Sequence, residues 1–172
     1  MASFESAVAV LMSPDYEGGY VCHPNDPGGE THFGISKRRY PEEDIKALTP
    51  DRARLLYRRD FWHPLYEKIP LQKIADKLFI ASVNLAHGDQ RPYYETPMKA
   101  VTLLQQALND EGSGVEVDGQ FGPQTLMAVK LMPAAILLRA YRARLALHYA
   151  KLVASDPSRD VFALGWLRRA VA

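Results

Sequence analysis

The segment from residue 16 to residue 36 constrains the chain most strongly, because it cannot belong to a long helix. It contains five glycines and two prolines, and apolar residues at helical spacing precede and follow it. Glycine and proline at this density interrupt regular structure. We therefore expect a loop or a short hairpin set into an otherwise helical protein, and loops of this kind often carry chemistry.

Three side chains in this segment have the chemistry that acid–base catalysis requires. Glu17 precedes two glycines, Asp26 precedes a proline, and Thr31 follows the glycine-rich turn. Two carboxyl groups, one beside apolar rings and one in a polar turn, titrate at different pH values, as general acid–base catalysis requires. The same residues also suit a solvated helix end and an ordinary Asp-Pro-Gly-Gly turn. The pattern alone leaves both interpretations open.

Short motifs in the first half relate the sequence to a known family. They are Glu-Gly-Gly-Tyr at 17–20, Asp-Pro-Gly-Gly-Glu-Thr at 26–31, Phe-Gly-Ile-Ser at 33–36, Phe61-Trp62, and Asn84 followed by Gly88. In these motifs the sequence resembles glycoside hydrolase family 108, a group of bacterial and phage peptidoglycan hydrolases. The resemblance implies a mainly helical, lysozyme-like fold in which a short β-hairpin or loop carries the active site.

The resemblance also implies roles for the residues of the loop. Glu17 becomes the general acid that protonates the glycosidic oxygen. Asp26 is either a base that activates water or a charge that stabilises the developing cation, and Thr31 positions the water. Glu17 and Asp26 have the spacing found in phage-type lysozymes, whereas the interval from Asp26 to Thr31 is one residue shorter. Glu30 is the rival acid. The expected substrate contacts in this half are Tyr20, Ser36, Trp62 and Asn84.

The second half contains a distinctive turn at residues 117–125, Val-Asp-Gly-Gln-Phe-Gly-Pro-Gln-Thr. It resembles the Asp-Gly-x-Phe-Gly-Pro-x-Thr turn of small helical peptidoglycan-binding modules. A tight glycine turn of this type buries Phe121 and starts a helix at Pro123. Asp118 and Phe121 therefore either contact glycan or only complete a helix–turn–helix connection.

Helix signals recur along the rest of the chain. Ser3 is placed to cap the first helix, and Thr49-Pro50 is a strong start signal for another that runs to about Trp62. Further helices are predicted at 71–86, from Thr96-Pro97 to about 108, from 123, over 138–152 and near 162–167, with a short helix or turn at 41–48. A polar turn at 89–92 divides a predicted catalytic lobe, 1–90, from a helical lobe, 91–172, packed on it.

Composition excludes several classes of function. The 21 basic and 20 acidic residues give a net charge of +1, which provides no overall positive field for nucleic acid. No apolar run reaches membrane-spanning length, and the first residues lack the pattern of a secretion signal. We expect a monomer that is made in the cytoplasm, does not insert stably into membranes, and reaches the periplasmic cell wall through a holin or an export system.

Two other kinds of site are present only as scattered residues. Cys22, the single cysteine, cannot form an intramolecular disulfide, and together with His23, Asp26 and His32 it matches no tight zinc motif. Ser82, His87 and Asp89 lack the glycine pattern of a nucleophile elbow. We therefore expect no metal and no other cofactor.

These observations predict a peptidoglycan hydrolase that cuts between N-acetylmuramic acid and N-acetylglucosamine, a lysozyme-type muramidase such as a phage or prophage endolysin that lyses the cell wall. A lytic transglycosylase is the nearest chemical alternative, and a chitin-directed glycosidase shares the backbone sugar. The alternative outside catalysis is a protein that binds peptidoglycan without cutting it.

Overall fold

The structure is a computed structural model of the 172-residue chain, and it describes residues 1–13, 19–22, 29–86 and 91–171. In these ranges the chain is mainly helical and has one small antiparallel sheet, as predicted. The elements are α1 Phe4–Leu11, β1 Thr31–His32, β2 Ile35–Ser36, α2 Pro50–Phe61, α3 Gln72–Leu85, α4 Lys99–Asp110, α5 Pro123–Leu131, α6 Ala134–Ser155 and α7 Asp160–Val171, with 3₁₀ helices at Pro64–Lys68, Tyr93–Glu95 and Pro157–Arg159.

The predicted helix caps of the first half are formed. The Ser3 hydroxyl accepts a hydrogen bond from the first turn of α1 at 3.5 Å, and the Thr49 hydroxyl accepts one from the first turn of α2 at 3.2 Å. Each bond satisfies one of the backbone N–H groups that a helix start leaves without an intrahelical partner. Helix α2 ends at Phe61, one residue before the predicted end.

Residues 41–48 form turns, one of the two predicted alternatives. Two helices differ from the prediction in extent. Helix α4 begins at Lys99, two residues after Pro97, because the Met98 amide donates to the Gly119 carbonyl at 2.8 Å before the helix starts. Helix α6 begins at Ala134, four residues before the predicted position 138. Within the described ranges, no helix is both long enough and apolar enough to cross a membrane.

Some predicted features lie outside the described residues. They are Glu17 and Asp26 of the predicted loop, Gly88 of the motif with Asn84, and the first half of the polar turn at 89–92. Their structure stays a prediction.

The two halves of the chain share one hydrophobic core. Helix α3 packs on α4, and Phe121 from the second half lies edge-on to Tyr66 of the first, with ring centroids 5.0 Å apart. The 3₁₀ helix that carries Tyr66 also packs on α5. The halves are thus held together by buried side chains, while their division at residue 90 stays a prediction.

A buried lysine adds a polar link between the halves. The ammonium group of Lys77 on α3 donates to the Arg169 carbonyl at 2.8 Å and to the Ala170 carbonyl at 3.4 Å. These are among the last carbonyls of α7, which have no intrahelical partner and carry the negative end of the helix dipole. Burial and the nearby charge of Arg142 lower the pKa of Lys77 to about 8.

We predict that Lys77 makes the protein more stable as pH rises from about 8 to 10.5. In this window the unfolded chain keeps a lysine proton that the folded protein has released, so raising the pH favours the folded state. The gain over the whole window is on the order of 3 kcal/mol. Urea unfolding of the natural protein and of Lys77→Met at several pH values measures it.

Tyrosines that titrate in the same pH range contribute equally to the natural protein and to Lys77→Met. The difference in unfolding free energy between these two proteins therefore reports Lys77 alone. We expect this difference to move in favour of the natural protein as pH rises. A difference that stays constant from pH 7 to 10.5 would contradict the prediction.

Candidate active site

The predicted catalytic segment contains a hairpin whose turn has an unusual backbone. Strands β1 and β2 are antiparallel and are joined by Phe33 and Gly34, both in the left-handed region with φ of 49° and 75°. Two such residues are typical of a type I′ turn, which matches the twist of a hairpin. The Tyr57 hydroxyl donates to the Phe33 carbonyl at 2.9 Å, so α2 holds the turn from outside.

A third extended segment pairs with this hairpin. Val21 and Thr31 exchange two backbone hydrogen bonds of 2.8 Å each, and Thr31 lies opposite Ser36 in the hairpin. Directly paired residues lie on the same face of a sheet, so Val21, Thr31 and Ser36 share one face. Thr31 and Ser36, two of the predicted site residues, are brought together in this way.

The opposite face of the hairpin carries aromatic and acidic residues. By the alternation of side chains along a strand, Tyr20, Glu30 and His32 lie on this face. The Tyr20 ring is edge-on to His32 at 5.8 Å, and the His32 ring stacks on Phe33 at 4.0 Å. Burial and the charges of Glu30 and Cys22 raise the pKa of the exposed Tyr20. The rival acid Glu30 therefore lies on the face away from Thr31.

His32 has a defined tautomer. Its Nδ1 lies 3.2 Å from the Ile45 carbonyl oxygen, and a carbonyl can only accept a hydrogen bond. The Nδ1 atom therefore carries a proton, and in the neutral ring Nε2 is an acceptor. Sequence reasoning considered His32 only as a possible metal ligand and missed that it ties the hairpin to the 41–48 segment.

Arg39 connects the end of the hairpin to α3. Its amide lies 3.4 Å from the Ser36 hydroxyl oxygen, and its guanidinium donates to the carbonyls of Val83 and Ala86 at 3.3 and 3.2 Å. The guanidinium also lies over the Tyr93 ring at 5.4 Å. Arg39 thus satisfies carbonyls at the C-terminal end of α3. In the sequence this residue belongs to a basic run that is typical of a solvated face, so no local signal identified it.

Asn84, a predicted substrate contact, lies at this end of α3 and contacts the last helix. Its side-chain oxygen accepts a hydrogen bond of 3.4 Å from the Arg169 guanidinium. The amide is thereby connected to α7 of the second half.

Glu17 and Asp26 lie outside the described residues, and their roles stay predictions. Asp26 falls between Val21 and Thr31 in the sequence, and these two residues are paired in the structure. Within the described ranges, no group of three or more His, Cys, Asp or Glu side chains is placed to hold a metal ion.

Trp62 lies in the core and not at a cleft. It is 4% exposed, and its ring is edge-on to those of Phe4, Tyr66 and Phe79 at 5.5–5.6 Å. The ring is buried because residue 62 directly follows α2, where α1, α2 and α3 meet. Its position supports a packing role in place of the predicted sugar contact.

Phe121 and Asp118 of the second-half turn also make internal contacts. Phe121 is 3% exposed against Tyr66 and His63, and burial lowers the pKa of that half-buried histidine. The Asp118 carboxylate accepts hydrogen bonds from the Gln105 side chain at 2.7 Å and the Gln120 amide at 2.8 Å. The buried Phe121 ring supports the second alternative, a helix–turn–helix connection that also packs against the first half, while glycan contact by the exposed Asp118 stays a prediction.

Gln105 organises this turn, and sequence reasoning missed it. Its amide nitrogen donates to Asp118, to the Gln120 carbonyl and to the Thr125 hydroxyl, while its oxygen accepts from the Gly119 amide at 2.9 Å. The sequence did contain a signal, because Gln105 lies within the apolar face of α4. A buried amide needs several hydrogen-bond partners, so its position indicated a polar network at this point.

Comparison with known proteins identifies both halves. Residues 12–86 match the family model described as glycosyl hydrolase 108, and residues 99–171 match the one described as a predicted peptidoglycan domain. The chain combines a glycosyl hydrolase 108 region with a predicted peptidoglycan domain. A solved structure of Brucella abortus SagA is similar to this chain, with a TM-score of 0.67 and 29% identity over 97% of this chain and 88% of that one. No curated protein gives a significant sequence match.

These matches confirm the family that the motifs between residues 17 and 36 indicated. They also support a peptidoglycan-acting glycosidase as the function of this protein.

We predict that Gly34→Ala lowers the unfolding free energy by about 1–2 kcal/mol, because an alanine pays a steric cost in the left-handed region. Gly19→Ala is the matched control, since a side chain there meets nothing within 4 Å and its backbone is not left-handed. Urea unfolding of the two variants measures the effect. Equal stability of both variants would contradict the left-handed turn.

We predict that Phe121→Ala lowers the unfolding free energy by about 3 kcal/mol or more, because it leaves a cavity between the halves. Phe121→Leu keeps most of the volume and should cost less than half as much. Thermal and urea unfolding of both variants measure this. A natural-like stability of Phe121→Ala would show that the ring is not buried between the halves.

Proposed function

We propose that the protein is an N-acetylmuramidase that hydrolyses the bond between N-acetylmuramic acid and N-acetylglucosamine. Glu17 is the general acid, Asp26 is the second carboxylate, and Thr31 positions the water. The observation that carries the proposal is the Val21–Thr31 pairing. It fixes the position of Thr31 next to Val21, the two residues that flank the Asp26 segment in the sequence, within the region that matches glycosyl hydrolase 108.

The chemistry needs one protonated and one ionised carboxyl group. The acid gives its proton to the leaving oxygen as positive charge develops on the sugar, and the second carboxylate stabilises that charge or activates water. A hydroxyl group can donate one hydrogen bond and accept others, so it is suited to hold a water molecule in place. Within the described part of the chain, no hydrogen bond engages the Thr31 hydroxyl.

Glu30 is less suited to the role of the acid. Strand alternation puts it on the face of the hairpin away from Thr31, and the hydroxyl of Tyr20 interacts with it there. Its nearness in sequence to Asp26 and Thr31 makes Glu30→Gln a matched control for the catalytic variants.

The bond that is cut is identified by the new chain ends in purified sacculi. We expect the natural protein to release reducing ends that, after borohydride reduction and acid hydrolysis, appear as the alcohol of muramic acid. The alcohol of glucosamine would instead indicate a glucosaminidase. Anhydro-muramic ends that resist borohydride would indicate a lytic transglycosylase.

We predict that Glu17→Gln lowers the rate of reducing-end release by about 100-fold or more, as expected when a general acid is removed. Asp26→Asn should also cause a large loss, Thr31→Val a smaller one, and Glu30→Gln a change within about twofold. Circular dichroism establishes that each variant is folded. Full activity of Glu17→Gln together with loss in Glu30→Gln would move the acid to residue 30.

Binding of all these variants to insoluble sacculi separates catalysis from attachment. Sacculi that bind the natural protein without any new chain ends would favour the non-catalytic alternative. The phage or prophage setting, delivery by a holin or export system, synthesis in the cytoplasm and the monomeric state stay predictions.

A further inference from the structure

The second half contains a groove that the proposed catalysis does not use. Its volume is about 540 Å³, and it lies between the loop at residues 111–115 and α5. Met132 and Pro133, which connect α5 to α6, also line the groove. The groove is separate from the hairpin and from the Phe121 contact.

One wall of the groove is the loop at residues 111–115, whose backbone is accessible to a ligand. The Asn109 side chain donates to the Val115 carbonyl and accepts from the Val115 amide, both at 2.8 Å, which fixes the end of the loop. Gly112 and Gly114 are in left-handed conformations, and a side chain at either would meet nothing within 4 Å. A ligand can therefore approach the peptide groups of this loop closely.

The other wall is apolar and exposed. Met127 and Leu131 lie one turn apart on α5 and are 56% and 77% exposed. Adjacent apolar side chains of this size in contact with water are typical of a binding surface. Methionine adapts its shape to different partners, which suits a site for a short ligand.

The lining favours a peptide over a sugar. Among the described residues, no aromatic side chain lines the groove, so it offers no ring on which a pyranose could stack. The edge of the groove instead carries both charges, because Glu111 is paired with the exposed Arg139 at 3.3 Å. A small zwitterionic peptide with methyl side chains is complementary to such a surface.

We propose that this groove binds the stem peptide of peptidoglycan. The apolar wall of α5 contacts the alanine methyl groups, and the 111–115 loop hydrogen-bonds the peptide backbone. Glu111 and Arg139 exchange their mutual ion pair for contacts with the ammonium and carboxylate groups of the diamino acid. The proposal rests on peptidoglycan as the substrate, and it adds that the second half recognises the peptide rather than the glycan.

The test is a titration of the full-length protein with stem tetrapeptide released from sacculi by an amidase. NMR spectra should show shifts for the amides of Gly112, Ser113 and Gly114 and for the methyl groups of Met127 and Leu131. Glycan strands stripped of peptide should leave these signals unchanged. Shifts caused by the stripped glycan, or peptide-induced shifts confined to other regions, would overturn the proposal.

Variants of α5 provide an independent measurement by calorimetry. Met127→Gln with Leu131→Gln keeps the side-chain sizes and removes the apolar contacts, and we expect the Kd for the peptide to rise about tenfold or more. Leu164→Gln is the matched control, because Leu164 is an exposed leucine on α7 outside the groove. An unchanged Kd in the double variant would overturn the proposal.

Cleavage of sacculi by the natural protein is measured separately from peptide binding. Cleavage without peptide binding would contradict the proposed peptide site and leave the proposed muramidase activity supported. Binding of the peptide in the groove without cleavage would support the groove and overturn the muramidase.

Discussion

The buried ring of Tyr66 is the contact on which the two halves of the molecule depend. Trp62 lies edge-on to it from the first half, and Phe121 lies edge-on to it from the second. Its hydroxyl lies 3.3 Å from the Ser82 hydroxyl, which itself donates to the Leu78 carbonyl. Burial accordingly raises the pKa of Tyr66. A buried hydroxyl group needs a hydrogen-bond partner, so the Tyr66 hydroxyl pairs with Ser82 of α3 while the Tyr66 ring packs against Phe121 of the second-half turn. Tyr66 therefore positions α3 and this turn relative to each other.

Helix α3 transmits this arrangement to the candidate active site. Arg39 fastens the end of the hairpin to the C-terminal carbonyls of α3, while Lys77 and Asn84 on the same helix contact α7. The hairpin and the last helix of the peptidoglycan domain are thus both attached to one rigid element.

Features that depend on neighbouring residues could be predicted from the sequence. Ser3, Thr49-Pro50 and Pro123 begin helices because caps and first-turn prolines act within one helical turn. The Phe33-Gly34 turn and its hairpin follow from glycine-rich local chemistry. The motifs between residues 17 and 36 indicated the family for a similar reason. A motif consists of the identities and the spacing of residues that are close together in the chain.

Features that depend on packing could not be predicted. Trp62 was expected to contact sugar, and for Phe121 both glycan contact and a purely structural place in the turn were left open, because a large ring looks the same in sequence whether it lines a cleft or fills a core. Gln105 and Arg39 gained their roles only when distant backbone groups came within hydrogen-bonding distance. Local sequence was enough to predict the helical class, the family and the chemical groups of the loop, because each depends on residues that are close together in the chain. The buried rings, the face of the hairpin that carries Thr31 and the groove of the second half became visible only in the folded protein, because they depend on contacts between segments far apart in the chain.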